Sequence, residues 1–229
     1  MSQQIQEMFS NIAETYDSIN HILSLNQDMR WRSKAINWMF QKNGNINRVL
    51  DLCSGTGDFS RIIKTEFPQI QMVLVDFSIP MLKLALKKLE NYKNIQLINA
   101  DALNLPFCDM SFDGIVCGFG VRNLDKLNQG VHEMARILKP GGVLTVLDFF
   151  KPKQWLLNLQ YLFYLDLMVP WIGGMLSGNR TAYSYLPKSA KNFIPVREFQ
   201  HLLETNGFIN IEIKKFILGA THCVSAVKK

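Results

Sequence analysis

A doubly wound α/β fold, with a mostly parallel sheet covered by helices on both faces, is predicted by three features of this 229-residue chain. Short apolar runs recur along it, as expected of strands buried on both faces. Helix-length stretches separate those runs, and strand–helix alternation is the pattern of parallel βαβ units. The first run, in "VLDLCSGTGDFSRII" from Val49 to Ile63, leads straight into a glycine-rich turn, the place where open α/β sheets bind ligands.

Residues 1–45 read as helical. Ile5, Met8, Phe9 and Ile12 share one face, followed by Ile19, Ile22 and Leu23 and then by Ala35, Trp38 and Met39. The strands are expected in "RVLDLC", "QMVLVDF", "IQLINAD", "FDGIVCGFG" and "GGVLTVLDF". Helices are expected from Phe59 to Phe67, Pro80 to Tyr92 and Leu127 to Leu138. With 48% hydrophobic and 19% charged residues, the chain suits one sizeable core and a single domain. It carries no internal repeats or low-complexity linkers.

Cys53, Cys108, Cys117 and Cys223 form no CxxC pair and are expected as reduced core thiols of a cytoplasmic protein. The N-terminus has no basic region followed by an apolar one, so no secretory signal is expected. His21, His132, His201 and His222 share no ligand spacing; they are expected as ordinary polar positions, with no metal. Residues 1–150 carry 15 basic and 15 acidic side chains, residues 151–229 carry 10 and 4, so the whole positive excess lies in the last third. Such an excess is either a solvated face or an attraction to membrane or nucleic acid.

At the end of the first strand, Asp51 is followed by Ser54, Gly55, Thr56 and Gly57. Both glycines permit a sharp turn and close approach of a ligand. A dinucleotide fingerprint would place a third glycine at Ser60, where the helix packs closely, and Asp58 at the helix start opposes a pyrophosphate. Asp76 ends the second strand, 19 residues beyond Gly57, placed to accept from ribose hydroxyls. Asp101 can accept from an exocyclic amine, and Ala102 can offer its N–H to a ring nitrogen. Together these residues describe an adenosine with a positively charged, phosphate-free substituent, which is S-adenosylmethionine.

The chain resembles the ubiquinone/menaquinone biosynthesis C-methyltransferases, of the class I methyltransferase fold. The resemblance runs through "MFSNIAETYDSINHILSLNQDMRWR", "LDLCSGTGD", "ADALNLPFCDMSFDGIVCGFGVRNLDK", "RILKPGGVLTVLDFFKP", "YSYLPKSAKNF" and "FQHLLETNGF". "FGVRN" and "YDSIN" are the more particular signals. The resemblance implies a Rossmann-like, seven-stranded sheet in one domain. Residues 1–47 would form an N-terminal helical lid, 48–150 the cofactor core, 151–195 an apolar lid insertion and 196–229 a C-terminal helix and strands. It maps Thr56, Asp76, Asp101, Ala102 and Gly118 to cofactor contacts. At Gly118 many members carry a hydroxyl-bearing residue, Asn26 stands where members usually have glycine, and Ser54 stands where many have a second glycine.

The implied reaction is C-methylation of a polyprenyl hydroquinone, either demethylmenaquinol or a demethylated ubiquinol precursor. Loss of the phenolic proton spreads charge onto the ring carbon, which then attacks a sulfonium methyl. Arg122 and Asn123, at the end of the fourth strand, are expected to stabilise the phenolate oxygen or hold a water that takes the proton, unless Arg122 pairs with Asp125 on the surface. Tyr16 and Asp17 are expected to close over the ring, and Asp148 is either structural or catalytic.

The segment Gln154 to Asn179 has one charge, Asp166, and is broken by Pro170 and Gly173–Gly174, too short a run for the ~20 residues that span a bilayer. With Lys151, Lys153, Arg180, Lys188 and Lys191 around it, it is read as a guide for the isoprenoid tail at the membrane's inner face. A nucleic-acid base methyltransferase would instead interleave aromatic and Arg residues. A non-catalytic cofactor sensor is the third reading, and an oligomer is left open.

Overall fold

The computed structural model describes residues 3–151, 180–216 and 221–229. Seven strands form one sheet: β1 (Arg48–Leu52), β2 (Gln71–Asp76), β3 (Ile95–Asn99), β4 (Phe112–Gly118), β5 (Leu138–Phe149), β6 (Phe208–Phe216) and β7 (Thr221–Lys228). Their order is β3-β2-β1-β4-β5-β7-β6. The first five strands are parallel, β7 runs antiparallel to β5, and β6 antiparallel to β7. The helices are α1 (Gln3–Leu23), α2 (Gln27–Lys42), α3 (Asp58–Glu66), α4 (Ile79–Lys88), α5 (Leu127–Ile137), α6 (Arg180–Asn192) and α7 (Val196–Thr205), with a 3₁₀ turn at Val121–Asn123.

The two-residue period of the strands sorts their apolar side chains into two cores. Leu50, Leu52, Val73 and Val75 join Met134 of α5 and Phe199 of α7 on one face. Val49, Met72 and Leu74 join Ile36 and Met39 of α2 and Ile63 of α3 on the other. This corrects the expected lid over residues 1–47. Trp31, Ala35, Ile36, Trp38 and Met39 of α2 are buried against the sheet, leaving α1 as the covering element.

Local boundaries follow from local chemistry. Ser78 Oγ caps α4 by accepting the Met81 N–H (3.5 Å), with Pro80 in the first turn. The helix stops at Lys88 rather than Tyr92, and Asn94, at φ 59°, turns the chain into β3. Between α1 and α2, Asn26 takes φ 58° and ψ 13°. Asparagine tolerates this left-handed backbone best after glycine. Among the described residues no helix is long and apolar enough to cross a membrane. The apolar segment from Gln154 to Asn179 lies outside the described residues.

The carboxyl ends of β1, β2 and β4 come together through the register pairs Leu52↔Val75 and Leu52↔Cys117. β1 and β4 are the strands from which the order runs in opposite directions, which makes this edge the topological switch point.

Candidate active site

From β1 the chain turns through Cys53 (φ 54°), Gly55 (φ 55°) and Gly57 (φ 83°) into α3. The two glycines do different work. A Cβ on Gly55 would meet open space, whereas one on Gly57 would lie 3.1 Å from the side chains of Leu74 and Leu89. Gly55 therefore leaves room for a ligand, and Gly57 is the close-packing glycine of this turn. Ser60 instead donates its N–H (3.1 Å) and hydroxyl (2.7 Å) to Asp51 Oδ2. Burial pushes the Asp51 carboxyl up to about 7, against those two bonds. Asp51 braces the turn from beneath.

A cleft of about 450 Å³ opens at this edge, its lining including Tyr16, Cys53, Gly55, Asp76, Met81 and Asn123. A contiguous hollow of about 240 Å³ is lined by Cys53, Asp76, Asp101 and Ala102, so carboxylates far apart in the chain meet around one space. Asp76 Oδ2 accepts the Gly55 N–H and its Oδ1 the Ser78 N–H, both at 2.8 Å. Burial raises its pKa despite these donors. Asp101 Oδ1 accepts the Leu103 N–H (3.0 Å), which fixes the turn carrying Ala102. Ser54 Oγ is buried with no hydrogen-bond partner among the described residues. An unpartnered hydroxyl beside the open space at Gly55 is what a cradle for a polar ligand requires.

α1 lies over the cleft. Gln6 Nε2 donates to the Phe77 carbonyl (2.7 Å), and the Ser10 and Ser78 hydroxyls share a bond of 2.9 Å. Further along, Lys88 Nζ donates to Asp17 Oδ2 (2.6 Å), Asp58 Oδ1 (2.8 Å) and Thr56 Oγ1 (2.9 Å), while Thr56 Oγ1 donates to Asp17 Oδ1 (2.6 Å). Asp17 thus fastens α1 to α4 and the glycine turn, and Thr56 is 3% exposed within that fastening. Tyr16 does face the cleft, and its ring packs edge-on to Phe9 at 5.9 Å. Burial raises its hydroxyl's pKa, with Arg122 and Arg32 pulling it back.

Arg122 pairs with Asp148, not with Asp125. Its Nη1 donates to Asp148 Oδ1 (2.6 Å) and the Phe119 carbonyl (2.7 Å), and its Nε to Ser189 Oγ of α6 (3.3 Å). The pair is sealed, with side-chain exposures of 2% and 0%. Asp148 Oδ2 also accepts the Arg122 N–H (3.2 Å), so the aspartate serves as the structural counter-ion. Asn123 lines the cleft, donates to the Phe119 carbonyl (3.2 Å) and accepts from Tyr185 Oη of α6 (2.9 Å). Both residues hold α6 against the end of β4.

Residues 1–228 match the model of the ubiE/COQ5 methyltransferase family. The chain belongs to that family. It is 40% identical over 207 residues to a demethylmenaquinone methyltransferase of Deinococcus radiodurans, covering 90% of this chain and 85% of the relative. It is 38% identical over 217 residues to one of Thermus thermophilus, covering 94% and 98%. A solved S-adenosylmethionine-dependent methyltransferase of Thermotoga maritima, described as a possible histamine N-methyltransferase, shares the fold with a TM-score of 0.68. That likeness covers 98% of this chain and 100% of the other at 18% identity.

In this methyltransferase Gly118 has a clear physical basis: a Cβ there would lie 2.5 Å from the Phe59 ring. Sequence reasoning missed Lys88, whose acceptors come from two separate segments, α1 and the turn into α3, and Tyr185, although "YSYLPKSAKNF" carried it into the family pattern. It also placed His21 and His222 as ordinary polar positions. His21 Nδ1 instead meets Asp28 Oδ2 (2.8 Å), which Arg32 Nη1 also reaches (2.6 Å). His21, Asp28 and Asp58 bring ligand atoms within 4.8 Å of one another, with the Arg32 guanidinium beside both carboxylates. Burial and Arg32 set opposite pulls on Asp58, and with Lys88 the cations win, lowering its pKa. His222 is 5% exposed between β5 and β6, and burial lowers its pKa to about 4. Of the expected core thiols, Cys108 is exposed and Cys53 is half-buried at the cleft.

Proposed function

We propose that this methyltransferase moves a methyl group from S-adenosylmethionine to a ring carbon of a polyprenyl hydroquinone, with demethylmenaquinol as the acceptor. The observation that carries the reading is the near full-length match to relatives named for that reaction, joined to a cleft whose acceptor side is aromatic and weakly polar. The ribose side falls to Asp76, the base side to Asp101 and Ala102, and the open face of Gly55 admits the rest of the cofactor. Bound there, the cofactor supplies an electrophilic methyl on a sulfonium.

The chain's own part is positioning and charge. Phe9, Tyr16, Phe119 and Met81 give the acceptor ring an apolar bed and exclude water. Phenols titrate near ~10, so a modest positive field suffices for a water at the cleft mouth to take the proton. Arg122 supplies that field from behind, since its charge reaches Tyr16 and Tyr185 although its donors are engaged by Asp148 and Phe119. Tyr16, held in its phenol form by burial, is placed to donate to the acceptor's oxygen. Ordering the two reactants is worth up to ~7–11 kcal/mol. Peripheral contact of the acceptor with a membrane surface is part of the proposal; exposed Lys151, Lys188 and Lys191 suit anionic headgroups.

The test is incubation with methyl-labelled S-adenosylmethionine and either demethylmenaquinol or tRNA. Label in the quinol, one methyl per ring, is expected; label in tRNA alone would overturn the reading.

A further inference from the structure

We propose that Cys53 and Cys117 form a reversible disulfide at the floor of the cofactor cleft, made by a hydroperoxide and closing the site to its cofactor. The two thiols sit at the switch point of the sheet, on the residue after β1 and near the end of β4. Gly120 is what brings them together. A Cβ on it would lie 2.5 Å from Cys53 Cβ, 2.9 Å from Cys117 Sγ and 3.0 Å from Cys53 Sγ. Both sulfurs therefore crowd one point that only glycine leaves open.

The two thiols differ in their access to solvent. Cys53 is half-buried and lines the cleft, so a small oxidant reaches it. Cys117 is 0% exposed, so oxidation reaches it only through the neighbouring Cys53 sulfur. In the first step the Cys53 sulfur attacks a peroxide oxygen. The O–O bond breaks, water leaves, and the sulfur gives up two electrons to become a sulfenic acid. In the second, Cys117 sulfur displaces the hydroxyl from Cys53 sulfur. The S–S bond forms, the S–O bond breaks, and the Cys117 proton leaves in a second water.

Only the source of oxidant rests on the proposed function: a quinol that passes two electrons and two protons to dioxygen yields a quinone and hydrogen peroxide beside these thiols. The link to cofactor binding is mechanical. A disulfide needs its sulfurs at about 2.05 Å, which draws Cys53 toward β4. Cys53 already holds left-handed backbone, and the next two residues carry the bonds Ser54 N–H to Val75 carbonyl (3.0 Å) and Gly55 N–H to Asp76 Oδ2 (2.8 Å). Moving Cys53 pulls on the carboxylate assigned to the ribose.

The experiment treats the purified protein with hydrogen peroxide, alkylates remaining thiols after denaturation, and maps peptides, while calorimetry follows S-adenosylhomocysteine binding. A Cys53–Cys117 linked peptide is expected, with affinity lowered about tenfold or more and restored by dithiothreitol. Cys108→Ser should respond as the unaltered protein does. Cys117→Ala should lose affinity in a form dithiothreitol does not restore, because Cys53 then proceeds to sulfinic acid. Oxidation of Cys108 with Cys53 and Cys117 still open to alkylation would overturn the proposal, as would a linked pair with unchanged affinity. No quinol enters this assay, so its outcome stands apart from that of the methylation test.

Discussion

Asp76 shows how one carboxylate does two jobs. It fixes the glycine turn through Gly55 and the start of α4 through Ser78, and it also lines both hollows of the cleft. Asp76→Ala should therefore weaken S-adenosylhomocysteine binding by about tenfold or more. Unchanged affinity by calorimetry would refute the ribose assignment. Arg122 and Asp148 behave differently because both are sealed from water. Arg122→Ala leaves Asp148 buried without its cation and should cost about 3–5 kcal/mol in denaturant unfolding. The double variant Arg122→Ala, Asp148→Ala should cost less than the sum of the single changes, since no uncompensated charge remains. An additive result would mean the two do not act as a pair.

At the scale of elements, α1 is a cover that buries Ile12, Ala13 and Ile19 and is fastened at its rim by polar bonds, whereas α2 buries a longer apolar face against the sheet. Such a cover opens more readily than the sheet it rests on. Lys88 is its main fastening, with acceptors on α1, α3 and the glycine turn. Lys88→Met should weaken the docking of α1 by about 1–3 kcal/mol. Hydrogen exchange should speed up across residues 3–23 and remain slow in β1 and β4. Equal acceleration in the strands would show that Lys88 supports the whole fold instead. The β1–α3 element carries the complementary lesson. Gly57 permits helix, strand and α4 to meet, so the turn's shape is decided by packing as much as by the ligand.

For the molecule as a whole, two buried groups tie stability to pH with opposite signs. Asp51 is raised from 3.8 to about 7, so its contribution is complete below 3.8 and is lost as pH climbs toward 7. His222 is lowered from 6.5 to about 4, so the native state resists its protonation and loses stability as pH falls from 6.5 toward 4. Between pH 4 and 6.5 the two trends oppose each other. Relative to the unaltered protein, His222→Gln should gain about 1–3 kcal/mol toward the acid end of that window, and Asp51→Asn should gain a similar amount toward its neutral end. Denaturant midpoints at both ends of the window check this; parallel profiles for all three proteins would contradict it.

The sequence by itself determined the alternation of buried strands and helices, the place of the glycine turn and the acids at three strand ends. These are local properties: apolar period, turn chemistry and spacing leave their mark in neighbouring residues. It also determined the family, through "FGVRN" and "YDSIN". Tertiary structure alone decided which residues answer one another across the chain. Arg122 found Asp148 instead of Asp125, because β4 and β5 are neighbours in the sheet and buried charges must be paired. Gly57 rather than a residue at position 60 took the close-packing place, because Leu74 and Leu89 stand against it. Asp17 met Lys88, and Cys53 met Cys117, because the crossover connections bring segments 71 and 64 residues apart in sequence to one edge of one sheet. No local pattern records such meetings, since they arise only when the two cores close on opposite faces.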